Sequence, residues 1–180
     1  VIKADGSPRI CVDCRDVNEC IEDDAYPNPD MGTCIDTLAR AKFFTQLDLN
    51  STFHQIPLNE ENRKMTAIII PTDRNCDYDL TSFGPNVAMQ AFMRVFDMTL
   101  SGLKFTDCVV YVDNIVIFAQ DFETHLKRLD SILNLLKNSG FTSKLAKCPF
   151  ATDSVTFLGF KIGGQTIRPA DSFIDKVRDL

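Results

Sequence analysis

The sequence lacks any apolar run close to the roughly 18 residues that a membrane-spanning helix requires. It also lacks a charged and then apolar leader followed by a small-residue cleavage site, and its first residue is Val1. These absences exclude the usual sequence signs of membrane insertion and secretion. We therefore expect a soluble intracellular fragment with no membrane partner.

Basic residues are few: 19 Lys and Arg stand against 25 Asp and Glu, which gives a net charge of -6. Proteins that bind nucleic acid usually carry clustered Lys and Arg, because these side chains neutralise phosphates. The charge balance taken alone therefore argues against nucleic-acid binding.

Histidines and paired cysteines are also scarce. His54 and His125 are not connected by metal-ligand spacing, so we interpret them as a packing or hydrogen-bonding residue and an exposed helix residue. The 7 cysteines are scattered through a chain too long to need disulfides, which predicts free thiols in a reducing compartment. Cys11 and Cys14 form one C-x-x-C pair, for which half a zinc site and a redox pair remain alternatives, although no second pair follows at zinc spacing.

No internal repeat, low-complexity tract or Pro/Gly/Ser linker divides the chain. The pattern predicts strands at 8–14, 42–49, 65–71, 76–83, 108–112, 115–118, 155–163 and 166–168, and helices at 31–40, 87–100 (largely buried) and 122–136. Asp121 is the predicted N-cap of the last helix and Gly140 its stop. Asp113 and Asn114 are predicted to form the tight turn of a hairpin. The fold class is therefore α+β, an antiparallel sheet backed by helices.

Two carboxylates lie where predicted strands end. Period-two alternation places Phe44, Gln46 and Asp48 on one face of their strand, and Asp113 lies at the hairpin tip. If the two strands are neighbours, the acidic side chains meet at one edge, which is costly unless a cation neutralises them. Magnesium prefers such oxygen ligands and supports phosphoryl transfer. Simple turn chemistry remains the alternative for Asp113, because Asp and Asn favour turns.

Several short motifs follow one another along almost the whole chain. Residues 3–15 match K-x-D-G-S-x-R-x-C-V-D-Y-R apart from its Tyr, residues 47–56 are similar to L-D-L-x-S-G-Y-H-Q-I, and residues 111–114 are similar to a Y-x-D-D box. A K-C-x-F segment at 147–150 and primer-grip segments at 157–159 and 167–169 complete the series. In this order the motifs resemble the reverse transcriptase of gypsy-type long-terminal-repeat retrotransposons, which is part of a retroviral-like Pol polyprotein.

The resemblance implies a right-hand polymerase with fingers over about 1–40 and 59–82, and a palm over about 41–58 and 83–180, without thumb, ribonuclease H or integrase. It implies that Asp48, Asp113 and the Leu49 main-chain carbonyl bind two Mg²⁺ ions, with Mn²⁺ as a substitute, and that Lys147 protonates the leaving pyrophosphate. The implied substrate-binding residues are Lys3, Arg9, Phe53, Phe83, Gly84 and Tyr111, and the implied primer grip is Phe157, Leu158 and Gly159.

Some of these residues keep a second interpretation. Phe53 is implied to be the gate whose ring excludes the ribose 2′-hydroxyl, and plain core packing is its alternative. The basic residues are implied to contact phosphates, and ordinary solvation is their alternative.

The implied reaction is RNA-directed DNA synthesis, in which dNTPs are added to a primer 3′-hydroxyl on an RNA or DNA template. The remaining partner would be the rest of the Pol polyprotein, whose thumb would supply basic surface that this chain lacks. The expected location is the cytoplasm, in virus-like particles, or the nucleus.

The sequence departs from the family pattern at functional positions. Asn114 stands where the Y-x-D-D box has its second Asp, which removes one negative charge beside the expected ions. In residues 82–92, Val87 and Met89 stand where the family has Asn and Pro. We therefore expect weakened or lost catalysis. The alternatives are a catalytically inactive palm module that binds nucleic acid or protein, and an inert fragment of a decayed element.

Overall fold

The structure, a computed structural model, describes residues 6, 12–22, 24–27, 29–70 and 74–171. Its α-helices are α1 (Arg15–Cys20), α2 (Met31–Ala39), α3 (Glu60–Arg63), α4 (Ala88–Thr99) and α5 (Phe122–Asn138). Its strands are β1 (Phe43–Asp48), β2 (Ile68–Ile70), β3 (Arg74–Cys76), β4 (Cys108–Tyr111), β5 (Asn114–Ala119), β6 (Ser154–Phe157), β7 (Phe160–Gly163) and β8 (Thr166–Pro169). Short 3₁₀ turns occupy Thr52–Gln55, Lys64–Thr66 and Leu145–Lys147.

The chain forms two compact units. The first unit comprises Val1–Pro27 and Ser51–Val95, and the second comprises Asn28–Asn50 and Phe96–Leu180. Within the described ranges, every helix is too short or too polar to cross a membrane.

The three predicted helices are confirmed as α2, α4 and α5, with ends within two residues of the prediction. Helix α5 begins after Asp121, whose carboxylate accepts a hydrogen bond of 2.8 Å from the Thr124 N–H. It ends before Gly140, which adopts a left-handed φ of 77°. The burial predicted for α4 is also present, since Ala88, Phe92 and Phe96 of this helix are shielded from solvent.

The second unit is built on an antiparallel sheet with the strand order β1-β5-β4. Its strands are rich in β-branched and aromatic residues, which favour extended backbone. Tyr111 pairs with Asn114, so the hairpin turn consists of Val112 and Asp113. The prediction of a turn at Asp113 and Asn114 was therefore wrong by one residue. Asn114 instead begins β5, and Val112 takes up a positive φ of 55° in the turn.

Helix α5 covers one face of this sheet. The aliphatic side chains of this face, such as Leu47 and Ile117, are fully buried, as are Ile132 and His125 on the helix. The rings of Phe43 and Phe122 meet edge to face at 5.7 Å. This contact fixes the helix over the end of β1 that lies far from Asp48.

The opposite face of the sheet is covered by α2 and the β6–β7 hairpin. Its apolar core consists of Cys34, Leu38, Ala41, Phe44, Val109, Val116, Phe118, Val155, Phe157 and Ile162. The core covers Phe44 completely, whereas Gln46 and Asp48 on the same face remain half-buried. The sheet therefore presents polar side chains at one end of one face.

A second antiparallel sheet has the order β6-β7-β8. The single strand predicted at 155–163 is in fact two strands, because Leu158 and Gly159 take positive φ values of 50° and 81° and reverse the chain. Gly163 remains within β7, and the turn to β8 is made by Gly164 and Gln165.

In the first unit, β2 and β3 pair as an antiparallel hairpin. Strand β2 is shorter than the strand predicted at 65–71, and β3 shares only Cys76 with the strand predicted at 76–83, so that prediction was wrong over most of its length. Residues 64–66 form a 3₁₀ turn, and residues beyond Cys76 leave the ladder, although Leu80 makes an isolated bridge with Pro57. The strand predicted at 8–14 is absent from residues 12–14, which have no regular structure, and its remaining positions lie outside the described residues.

Candidate active site

The register of the central sheet brings the two predicted carboxylates to one end of it. Asp48, the last residue of β1, lies directly opposite Asn114, the first residue of β5. Asp113 immediately precedes Asn114 in the hairpin turn. Since neighbouring strands lie about 4.8 Å apart, Asp48 and the Asp113–Asn114 pair form one polar cluster.

A chain of side-chain hydrogen bonds runs through this cluster. The Gln46 Nε2 donates to Asn114 Oδ1 at 2.9 Å, and Asn114 Nδ2 donates to Asp113 Oδ1 at 3.3 Å. Residue 114 thus contacts the neighbouring carboxylate as a hydrogen-bond donor, which an ionised aspartate cannot do.

The pairing of Leu49 indicates the direction of its main-chain carbonyl. Leu49 forms an isolated antiparallel bridge with Ser143, flanked by bonds of 2.9 Å from Asn50 N to Thr142 O and from Lys144 N to Asp48 O. In such a non-hydrogen-bonded pair, the residue's own N–H and C=O point away from the bridging strand. For Leu49 that direction is towards β5 and the hairpin tip.

Lys147 lies in an exposed 3₁₀ turn. The residue that follows it, Cys148, is hydrogen-bonded to β1. The Cys148 sulfur accepts a bond from the Asp48 N–H at 3.4 Å and its thiol donates to the Lys144 carbonyl at 3.3 Å. The buried thiol therefore anchors the segment that carries Lys147 to the end of the strand that carries Asp48.

The predicted primer-grip residues also lie in the second unit. Phe157, at the end of β6, packs edge to face against Tyr111 with ring centroids 6.4 Å apart. Leu158 and Gly159 form the turn that follows. Tyr111 is itself the register partner of Asn114, so it lies between the polar cluster and Phe157.

Phe53, Phe83 and Gly84 lie in the first unit. The half-buried Phe53 ring contacts Phe83 at 5.1 Å and Phe92 at 5.9 Å, both edge to face. This packing accounts for part of the Phe53 surface and leaves its role as a gate a prediction. Gly84 has φ +148°, and a Cβ there would lie 2.6 Å from the Cys14 sulfur. Only glycine suits this position.

Asn18 has a structural role that the sequence interpretation missed. Its Nδ2 donates to the Gly84 carbonyl at 3.1 Å, and its Oδ1 accepts from the Asn86 N–H at 3.0 Å. Both ends of one amide thus hold the main chain of the loop that contains Phe83 and Gly84. The available signal was its place just after the motif of residues 3–15.

Lys3, Arg9 and Cys11 lie outside the described residues, so their predicted roles stay predictions. The cysteines within the described ranges are free, as expected, and burial raises the pKa of the Cys14 and Cys34 thiols and that of Cys108 to about 12. No set of three or more His, Cys, Asp or Glu side chains in the described part of the chain is placed to hold a metal ion.

The interpretation of His125 as an exposed helix residue was wrong. Its side chain is completely buried beneath the sheet, and its Nε2 lies 2.7 Å from the Thr45 hydroxyl. Burial lowers the pKa of this imidazole, and the nearby positive charge of Arg128 lowers it further.

The antiparallel sheet backed by helices, with Asp48 and Asp113 at one end, forms an α+β domain, and comparison with known proteins identifies its family. Residues 1–162 match the family model of reverse transcriptase (RNA-dependent DNA polymerase). The chain belongs to this family.

Relatives at the sequence level include the retrovirus-related Pol polyproteins of the transposons gypsy and opus from Drosophila melanogaster. Each is 34% identical to the chain, over 157 and 162 residues, or 86% and 89% of the chain. The chain spans only 15% and 16% of the length of these relatives. The resemblance to gypsy-type elements is thereby confirmed.

Solved structures of foamy viral protease-reverse transcriptase have the same fold. One, in complex with double-stranded DNA, is 25% identical with a TM-score of 0.92 and covers 100% of this chain and 31% of that chain. Another, of the prototype foamy virus enzyme, is 26% identical with a TM-score of 0.79 and covers 94% of this chain and 22% of that chain. The predicted α+β fold with fingers and palm is confirmed, while its exact division between residues stays a prediction.

Proposed function

We propose that the chain provides the fingers and palm of an RNA-directed DNA polymerase that adds dNTPs to a primer 3′-hydroxyl. The observation that carries this proposal is the β1–β5 register, in which Asp48 lies opposite Asn114, the residue that directly follows Asp113 of the hairpin turn. Carboxylates at one end of a sheet repel each other as they approach, unless a cation or a hydrogen-bond donor lies between them.

The donors present fit Mg²⁺, or Mn²⁺ in its place. Asp48 and the Leu49 carbonyl, at the end of β1, and Asp113, in the turn before β5, supply hard oxygen ligands. Magnesium is commonly held by one or two carboxylates together with substrate phosphates. Two bound ions would activate the primer hydroxyl and neutralise the charge of the departing pyrophosphate. The protein's own contribution is to hold the oxygens rigidly at the end of a buried sheet.

The remaining proposed roles follow from position. Lys147, tied to β1 through Cys148, is suited to donate a proton to the leaving pyrophosphate. The turn after Phe157 would hold the primer end next to Tyr111. In the first unit, Phe53 would exclude the ribose 2′-hydroxyl beside the loop at Phe83 and Gly84, and Lys3 and Arg9 would contact the triphosphate.

The proposed partners are an RNA or DNA template-primer, dNTPs and the remainder of a Pol polyprotein. The structural relatives in complex with double-stranded DNA and with an RNA/DNA hybrid support the first of these. The proposed location is the cytoplasm, within virus-like particles, or the nucleus.

Primer extension on an RNA template tests the proposal. The chain, fused to a related thumb, would be compared with its Asn114→Asp and Asp113→Ala forms in Mg²⁺ and in Mn²⁺. We expect weak extension from the native chain, because Asn114 lacks a negative charge, and a gain of about 10-fold or more with Asn114→Asp. Extension that survives Asp113→Ala would contradict the proposed site.

A second candidate function is a palm module that binds nucleic acid or protein without chemistry. The observation in its favour is the Asn114 amide, which satisfies the Asp113 carboxylate without a cation. Salt-dependent binding of template-primer, with no extension even by Asn114→Asp, would select this alternative.

A further inference from the structure

Gln46 occupies a position from which it can control residue 114. It lies on β1 two residues before Asp48, on the same face, and its register partner on β5 is Val116. Its side chain therefore reaches diagonally across the pair of strands to Asn114, a distance that a long side chain can span.

Chemistry fixes the orientation of the two amides. Asp113 has no proton to donate as a carboxylate, so the group of Asn114 that faces it must be the Nδ2 donor. The Oδ1 of Asn114 then faces Gln46, which must donate through Nε2. The order of donors and acceptors is thus consistent along the three side chains.

We propose that Gln46 is a positioning residue of the polymerase site. Gln46 holds the Asn114 side chain so that Asn114 serves as a neutral partner of Asp113. This inference rests on the proposed function. A glutamine amide both donates and accepts, so Gln46 satisfies Asn114 whether its Nδ2 is turned to Asp113, as in the structure, or its oxygen is released to serve as a ligand. Asn114 then takes part in the site, either as a hydrogen-bond donor to Asp113 or as an oxygen ligand.

Binding of Mn²⁺ alone to the full chain, followed by electron paramagnetic resonance, tests the role of Gln46. The Gln46→Leu change keeps most of the side-chain bulk and removes both polar ends, and we expect about 10-fold weaker Mn²⁺ binding, as for other residues that orient metal ligands. In an Asn114→Ala background the same change should alter binding by less than about 2-fold, because no side chain is left to hold. An equal loss in both backgrounds, or no loss in the native background, would overturn the inference.

The metal-free chain gives a second and independent measurement. The side-chain amide resonances of Asn114, assigned by their absence from Asn114→Ala, should shift in Gln46→Leu and in Gln46→Met while the thermal midpoint stays within about 4 °C of native. Unmoved resonances would contradict the positioning role even if the site binds Mn²⁺. If Mn²⁺ binding persists in Asp113→Ala, the proposed polymerase site is contradicted, while the Asn114 resonances still test the role of Gln46. If the native chain binds no Mn²⁺ at all, the proposed polymerase site and the role of Gln46 in it are both overturned.

Discussion

Gly84 shows how one residue constrains the loop that carries Phe83. Its φ of +148° is accessible almost only to glycine, and an added Cβ would also lie 2.7 Å from the Val12 carbonyl. We therefore expect Gly84→Ala to lower the free energy of unfolding by about 2–4 kcal/mol in urea titrations. Gly102→Ala is the matched control, since Gly102 has φ +81° and open space around it, and should cost only about 1 kcal/mol. Equal costs would show that the contacts at Gly84 are unimportant.

His125 makes stability depend on pH. Its pKa in the folded protein is lowered from the ordinary 6.5 by burial and then by Arg128, so the unfolded chain takes up the proton first as pH falls. The free energy of unfolding is therefore highest well above pH 6.5, where His125 is neutral in both states, and it decreases as the pH falls below 6.5. Thermal midpoints measured from pH 8 to pH 5 should fall accordingly, and the fall should be smaller in His125→Gln. Equal falls in the native chain and in His125→Gln would contradict this role of His125.

Helix α5 is the element whose ends are set by single residues. The Asp121 carboxylate caps its N-terminus, and the hydrogen bond from the Thr124 N–H lowers the pKa of that carboxyl. We expect Asp121→Ala to lower the thermal midpoint by about 2–4 °C, whereas Asp121→Asn, which keeps a capping oxygen, should retain most of the stability. An equal fall in both variants would show that charge and not capping is responsible.

The elements differ in how well local sequence specifies them. Helix α5 was predictable because its cap and its apolar spacing are local signals. The break at Leu158 and Gly159 lies within a stretch rich in apolar residues, from 155 to 163, so one strand was predicted where two occur. The burial of His125 was missed although positions 125, 129, 132 and 136 recur at helical spacing, because an imidazole was not counted as a core residue.

At the scale of the whole molecule, the positions of the two carboxylates in the candidate site could be predicted from the sequence, but the hydrogen bonds around them could not. Asp48 and Asp113 follow from strand periodicity and from the family motifs. The Gln46–Asn114 bond depends on cross-strand register, and a turn displaced by one residue would have moved Asn114 out of β5. Long-range pairing of this kind is not encoded in any single segment.

The division into two compact units leads to a prediction about cation binding. Asp48, Asp113 and Leu49 all belong to the second unit, so Mg²⁺ should stabilise that unit directly. At about 100 times its dissociation constant, a ligand of the native state adds about 2.7 kcal/mol. Hydrogen exchange should therefore slow in β1, β4 and β5 when Mg²⁺ is added, remain unchanged in α1 and the β2–β3 hairpin, and show no response in Asp113→Ala. Equal protection of both units would mean that they unfold together, since a cation held only by the second unit can protect the first only through shared unfolding.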